Sequence, residues 1–364
     1  MNILIDICHP SHVHLFKHSI RLLQQDGHNV IVTVKDIPVA KQLLEQEHID
    51  YLSLEGTKRD SLLGKGLIQL KYNYLLTRIA RRYHIDIGIG SSVTVAQIAK
   101  LNGFPSLFFD DDDDFVEPLT VRFAHSFASV ILSPKPLEAH RKKRPAIFYQ
   151  GSHELAYLHP NRFRPDPSVM QSIGLQVDEP FFVMRFNAFK AHHDGNVQGL
   201  TLEQKLDLIN ILAPHGKVLI TTERNIEPEL APYQMKISPD KVHHLLYYAT
   251  LFVGDSQTMT SEAAILGTPA FRCNSLVGQL AVIEELENRY NLAYGFTTDH
   301  FTQMTETIRQ LLDNSNLKKE WHTKREYYLT DKIDVTAFLV WFIEHYPKSK
   351  QIVLDDPSFP LSFR

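Results

Sequence analysis

The chain has 364 residues, 43% of them hydrophobic and 22% charged, the proportions of a globular protein long enough to hold two cores. A net charge of -4 and a pI near 6.5 give no electrostatic case for nucleic acid or for a strongly anionic membrane. No run approaches the ~18 apolar residues of a membrane helix, and two cysteines, Cys8 and Cys273, do not make a disulfide framework.

The opening, MNILIDIC, lacks a basic leader region and reads as a first strand over 2–7, which predicts a cytoplasmic protein. A helical pattern from Val13 follows, with Leu15, Phe16, Ile20, Leu22 and Leu23 near one face, and Gly27-His28 ends it. A strand over 29–34, a helix over 37–47 and a strand over 51–54 continue a β-α-β rhythm that implies a parallel sheet covered by helices. The loop 55–66 is basic, with Lys58, Arg59 and Lys65, and suits an acceptor, a membrane surface or plain solvent. Then come a helix over 67–83, strands over 85–89 and 105–109 flanking a helix over 93–102, and a run of five aspartates, Asp110 to Asp114. A helix over 117–126 and a strand over 129–132 close the first half.

Prolines and loss of period between 134 and 168, including Tyr149-Gln150-Gly151-Ser152-His153-Glu154, place a crossing between domains there. The expected division is an N-terminal domain over 1–155, a second over 165–330, and a tail over 331–364 packing back on the first. The second half repeats the pattern: strands over 181–185, 217–221, 251–253 and 293–296, with helices over 201–213, 239–248, 279–289, 300–313, 316–328 and 334–345. The tail from Lys348 is mixed in character.

Ligands of open α/β sheets bind beyond the carboxyl ends of the strands. Among the residues expected there, His12 in CHPSHVH suits a general base, or a helix cap. His14 and His18 have metal-ligand spacing without a third ligand. Asp110, nearest its strand end, and Glu117 are candidate carboxylates; the aspartate run suits a hard cation, or solvent beside a helix start. Arg185, with Lys190, His192 and His193 behind it, suits an anion or an exposed loop. In Gly254-Asp255-Ser256-Gln257-Thr258-Met259-Thr260-Ser261-Glu262, a strand runs through a tight turn into a helix that stops at Gly267. Its first amides and the hydroxyls of Ser256, Thr258 and Ser261 suit a phosphate, or form an ordinary cap. Arg272 ends the next strand, within expected reach of the same anion.

These residues resemble the GT-B superfamily of nucleotide-sugar enzymes. Ser11-His12-Val13 with Asp26-Gly27-His28-Asn29-Val30 looks like its opening "G-H-V … G-H-x-V", with Ser11 in the place of Gly. The segment Gly254-Asp255-Ser256 … Ser261-Glu262-Ala263 … Leu266-Gly267-Thr268-Pro269 is similar to its nucleotide-diphosphate site, closest to the UDP-N-acetylglucosamine 2-epimerase branch, and Glu117-Pro118 … Arg122 also looks like that branch. Gln257 and Thr258 replace that branch's paired glycines, and no first-strand Arg-Pro-Glu is present. The whole chain most resembles a prokaryotic family within the superfamily known chiefly as a domain of unknown function.

The resemblance implies an α/β fold of two Rossmann-like domains with parallel sheets facing across a cleft. It implies a glycosyltransferase using a nucleoside-diphosphate sugar, a UDP-sugar first of all. Ser256, Thr258 and Ser261 would hold the diphosphate, Glu262 the ribose, and Arg272 or Arg185 would offset leaving-group charge. His12 would deprotonate an acceptor hydroxyl on a carbohydrate or lipid-linked acceptor, with no obligatory metal or cofactor. An epimerase or hydrolase would instead use Asp110 and Glu117 for acid–base steps, and a binding-only protein would need neither. The expected location is the cytoplasm or the periphery of the inner membrane face, and a homodimer is a candidate assembly.

Overall fold

The computed structural model describes residues 1–56, 62–141, 146–186, 199–222 and 226–364. Lys58, Arg59, Lys190, His192 and His193 lie outside the described residues, as does the side chain of Lys65. The chain divides into two compact units, residues 1–162 with 332–364, and residues 163–331.

The first unit runs β1 (Asn2–Ile7), α1 (Pro10–Gln25), β2 (Asn29–Lys35), α2 (Pro38–Gln46), β3 (Leu52–Leu54), α3 (Leu62–Arg82), β4 (Ile87–Gly90), α4 (Val93–Asn102), β5 (Ser106–Phe109), α5 (Pro118–Thr120), β6 (Val130–Pro134), β7 (Ala146–Tyr149) and α6 (Leu155–Leu158). Its seven strands pair in parallel in the order β3-β2-β1-β4-β5-β6-β7. Buried on both faces, these strands read as continuous apolar runs, Ile3-Leu4-Ile5 and Leu107-Phe108-Phe109 among them. Pro10 opens α1, and the side chain of His9 accepts from the Ser11 amide. Ser92 caps α4, and Gly103 ends it in the left-handed conformation, φ 78°.

The second unit runs α7 (Ser168–Ser172), β8 (Phe181–Arg185), α8 (Leu202–Leu212), β9 (Lys217–Thr221), β10 (Gln234–Met235), α9 (Val242–Tyr248), β11 (Leu251–Gly254), α10 (Gln257–Leu266), β12 (Ala270–Cys273), α11 (Ala281–Glu284), β13 (Ala293–Phe296), α12 (Phe301–Leu312) and α13 (Leu317–Thr330). Its six strands are parallel in the order β10-β9-β8-β11-β12-β13. The chain then returns to the first unit as α14 (Val335–Glu344) and α15 (Lys348–Asp355). There Thr336 donates to Ala156 O at 2.7 Å and the Phe338 ring lies 5.9 Å from that of Tyr149.

Each strand order reverses direction once, between β1 and β4 in the first unit and between β8 and β11 in the second. Such a switch point opens a crevice at the carboxyl ends of the two strands. Three local readings are corrected. β7 lies inside the aperiodic stretch, because an edge strand of four residues, AIFY, is too short to show a period. The helix expected over 117–126 is a single α-turn followed by a π-helical turn over Val121–His125. The mixed tail contains α15, whose Ser349 donates to Phe342 O at 2.6 Å.

Candidate active site

In the second unit the switch point is built around Gly254. A Cβ there would stand 2.3 Å from Arg185 O, so the crossing of β11 past β8 requires glycine. The next amide, Asp255 N, donates to that carbonyl at 3.2 Å, and Asn274 Nδ2 donates to Asp255 O at 3.0 Å. The turn is thus pinned from both sides before α10 begins. Ser256 Oγ accepts the Met259 amide at 3.4 Å, and the Thr260 hydroxyl donates to Ser256 O at 2.7 Å. Both hydroxyls are spent on the cap. What the helix offers a ligand is therefore its first amides, at Gln257 and Thr258, and the exposed Thr258 hydroxyl.

Several expected ligands in this unit are placed otherwise. Ser261 is buried inside α10. Glu262 is buried and accepts from His243 Nε2 at 3.0 Å, so the carboxylate expected at a sugar ties α10 to α9. Arg272 is 0% exposed. Its Nε donates to Glu287 Oε1 at 2.6 Å, and its Nη2 donates to Glu287 Oε2 and Glu284 Oε1, each at 3.0 Å. Two carboxylates already neutralise it, and its one nitrogen without a partner among the described residues, Nη1, is buried, so its charge is not open to an anion. Gly295, opposite Arg272 in the ladder, makes room for the pair, since a Cβ there would meet Glu287 Oε1 at 2.6 Å. Arg185 ends β8 half-buried, beside the turn.

In the first unit the aspartate run divides its labour. Asp110 is 8% exposed. Its Oδ2 accepts from His125 Nε2 at 2.5 Å and Arg141 Nη1 at 3.0 Å, and its Oδ1 accepts the Asp112 amide at 3.1 Å. Arg141 also donates to Asp114 Oδ1 at 2.5 Å and Ser133 Oγ at 3.0 Å. Asp113 pairs with His140. Asp110 is thus a structural anchor and not the carboxylate that faces a ligand; this corrects the expectation from its place at the strand end. Carboxylate oxygens of Asp110, Asp111 and Asp112 lie within 4.8 Å of one another, but those of Asp110 are taken, which argues against a cation there. His14 packs 5.3 Å from the Tyr157 ring, away from the metal role its spacing suggested.

Asp111 takes the open position. Its Oδ1 lies 3.1 Å from His153 Nδ1. Burial would discharge His153, but the Asp111 charge and hydrogen bond, with Glu154 and Asp110 behind them, outweigh it and raise its pKa. Burial likewise opposes the Asp111 charge, and His153 and His12 overcome it, lowering the Asp111 pKa. Five buried polar atoms at the end of β7 and just beyond it have no partner among the described residues: Tyr149 Oη, Gln150 Oε1, Ser152 Oγ, His153 Nε2 and Glu154 Oε2. Burial and the Asp111 charge push Glu154 up to about 7. Polar tips left over in this way ask for a ligand or water to satisfy them.

His12, in the first turn of α1, belongs to the same neighbourhood. Burial, then the charges of His9 and His153, hold its pKa down to about 3 despite Asp111, so it is a neutral imidazole. Its Nδ1 lies 3.5 Å from the Cys8 thiol, which burial pushes up to about 12. The Phe109 ring lines this corner, 5.7 Å from Phe16 and 5.8 Å from His153. Glu117 is exposed and accepts the Thr120 hydroxyl at 2.5 Å; its charge reaches the Cys8 thiol. His153, Glu154 and Tyr149 are the residues that reading the sequence passed over. Their only signal was Gln-Gly-Ser-His-Glu directly after the four residues Ala146–Tyr149.

The architecture is of the GT-B type. It aligns with UDP-GlcNAc 2-epimerase from Neisseria meningitidis bound to UDP-GlcNAc, at a TM-score of 0.66 and 14% identity over 89% of this chain and 94% of that one. The S. aureus MnaA–UDP structure aligns at 0.67 and 13% identity over 96% and 97%. The Streptomyces sp. SF2575 glycosyltransferase SsfS6, complexed with thymidine diphosphate, aligns at 0.59 and 13% over 94% and 99%. Among sequences, an uncharacterized protein of Methanocaldococcus jannaschii is 22% identical over 284 residues, 75% of this chain and 82% of its own. Residues 1–331 match the family described as "Protein of unknown function (DUF354)", and the chain belongs to that family.

Proposed function

We propose that the protein is a GT-B glycosyltransferase that takes a sugar from a nucleoside-diphosphate sugar, UDP-linked in the first instance, and passes it to a hydroxyl acceptor. The observation that carries this reading is the start of α10. It sits at the switch point of the second unit, its turn pinned by Arg185 O and Asn274, with the amides of Gln257 and Thr258 open. A helix N-terminus at that place favours a diphosphate over a neutral ligand. Neighbouring folds with bound UDP, UDP-GlcNAc and thymidine diphosphate support the same ligand class.

In this reading Ser256 shapes the cap, Thr258 and the two amides bind the diphosphate, and Arg185 offsets the charge on the departing nucleotide. Neutral His12 would accept the proton of the acceptor hydroxyl. The Asp111 carboxylate, which favours a proton on His12, would offset the charge that this proton brings. No metal or organic cofactor is assigned a step.

A second reading, an epimerase or hydrolase acting on the sugar itself, draws on Glu154. A buried carboxyl with a pKa of about 7, under the influence of Asp111 and His153, can both give and take a proton near neutral pH. One experiment separates the readings: the protein is incubated with a panel of sugar nucleotides, with and without acceptor extract. Nucleotide release that depends on the extract supports the transferase, and an altered or released sugar without it supports the second reading. If no nucleotide or sugar nucleotide raises the melting temperature, both fail.

A further inference from the structure

The net charge of -4 averages away a strong local asymmetry. Between Leu62 and Phe109 stand six Lys and Arg and a single acid, Asp86, whose Oδ2 accepts the Asn2 amide at 2.7 Å. Five of the six lie on α3, which carries no acidic residue. The solvent-facing stripe of α3 is Leu67, Leu70, Lys71, Tyr74, Arg78, Arg81 and Arg82, at helical spacing. A surface helix ordinarily turns its apolar residues inward. Here the inner stripe already has them, with Leu76 and Ala80 in a core beside β1, while Leu67, Leu70 and Tyr74 are 57%, 65% and 62% exposed.

The neighbouring helix extends the same character. Gln69 donates to Thr94 Oγ1 at 3.2 Å and Asn73 to Gln97 Oε1 at 2.7 Å, holding α3 against α4. Arg81 reaches Asn102 Oδ1 at 3.1 Å, which brings exposed Lys100 and Leu101 alongside the basic end of the stripe. The Arg78 guanidinium lies 5.8 Å from the Tyr74 ring, so the aromatic and cationic parts of the stripe adjoin.

We infer that the α3–α4 face of the first unit is a docking surface for an anionic lipid bilayer. Leucines and a tyrosine at one end would enter the headgroup boundary, and the lysines and arginines would meet lipid phosphates. The absence of acid from α3 selects a negatively charged surface over an apolar protein face, which would have no use for five cations. The inference stands apart from the proposed reaction, because none of these residues belongs to either switch point.

Co-sedimentation of the whole protein with phosphatidylcholine vesicles, with and without phosphatidylglycerol, tests it. Binding is expected with phosphatidylglycerol and not without it, and should weaken as salt rises. Each basic residue near such a surface adds roughly five-fold to partitioning, so R78E/R82E should lose more than about ten-fold, and L70E/Y74E should lose binding outright. All four positions are exposed, so both variants should melt as wild type does. Failure to bind phosphatidylglycerol vesicles at low salt overturns the inference, as does binding that L70E/Y74E leaves intact. A dimer in ultracentrifugation that L70E/Y74E dissociates would assign the face to a second copy of the chain, and also overturns it.

Discussion

Asp111 Oδ1 and His153 Nδ1 stand 3.1 Å apart, one following β5 and the other following β7, and this contact orients the imidazole so that Nε2 is its unbonded nitrogen. A histidine held at Nδ1 by a carboxylate is fixed in tautomer and ring angle. The same carboxylate acts on its other neighbours, working against discharge of His12 and for protonation of Glu154. One carboxylate thus acts on the protonation of three residues, deciding it at His153, reinforcing burial at Glu154 and being outweighed by burial at His12.

Asp111→Asn should reveal the pair through pH. The Asp111 pKa is lowered, so its contribution is present above the unfolded value near 3.8 and lost as pH falls through the folded one. The His153 pKa is raised, so its contribution is full below the unfolded value near 6.5 and lost as pH rises through the folded one. The pair therefore stabilises most between about pH 4 and 6.5. Because Asp111 is partly solvated, the expected cost of the substitution at pH 5 is about 1 kcal/mol, shrinking by pH 9. Urea unfolding at the two pH values measures it; an equal cost at both would show the contact to be electrostatically idle.

Glu154→Gln should behave in the opposite sense. The wild-type carboxyl, raised from 4.5 to about 7, keeps its proton in the fold while the unfolded chain releases it. Stability therefore falls as pH rises from 4.5 to 7, by at most about 3 kcal/mol. Glutamine removes that cost, so the variant should melt higher than wild type at pH 8 and close to it at pH 4.5. A variant that melts lower at pH 8 would mean that the charged carboxylate has an unseen partner.

The doubly wound rhythm and the turn at Gly254 were legible because apolar runs, Gly stops and Ser caps are local signals. Roles that depend on distant partners were not. Arg272 looked like an anion ligand because its neutralising carboxylates, Glu284 and Glu287, lie more than ten positions on, in a different element. Asp110 and Asp111 are indistinguishable as letters. Only the folded positions of His125, Arg141 and His153 separate an anchor from an open carboxylate. His153 and Glu154 were lost for a related reason: the edge strand that presents them is too short to announce itself.

The buried Arg272 pair makes its own prediction. Arg272→Ala leaves Glu287 and Glu284 facing each other without their cation, and should cost about 3–5 kcal/mol. Gly295→Ala keeps every charge but pushes a methyl against Glu287 Oε1, and should cost about 1–3 kcal/mol. Thermal unfolding of both variants reads this directly. If Gly295→Ala unfolds like wild type, Glu287 has somewhere else to go and the pair is looser than its distances say.

Thr258→Asp tests the mouth of α10 by opposing two effects of one charge. Thr258 is exposed in the first helical turn, where a carboxylate interacts favourably with the helix dipole. The free protein should therefore be unchanged or more stable, by about 0.3–1 kcal/mol. The same carboxylate occupies the position proposed for the diphosphate, so UDP should lose its ability to raise the melting temperature. Thr258→Val is the control, because it removes one hydroxyl and leaves the amides and dipole in place; it should weaken the UDP shift only partly. A Thr258→Asp protein that is still stabilised by UDP as wild type is would move the diphosphate away from this helix. A loss of stability in the free protein would instead place Thr258 in a contact that the fold needs, and the two results are read from the same pair of melting curves.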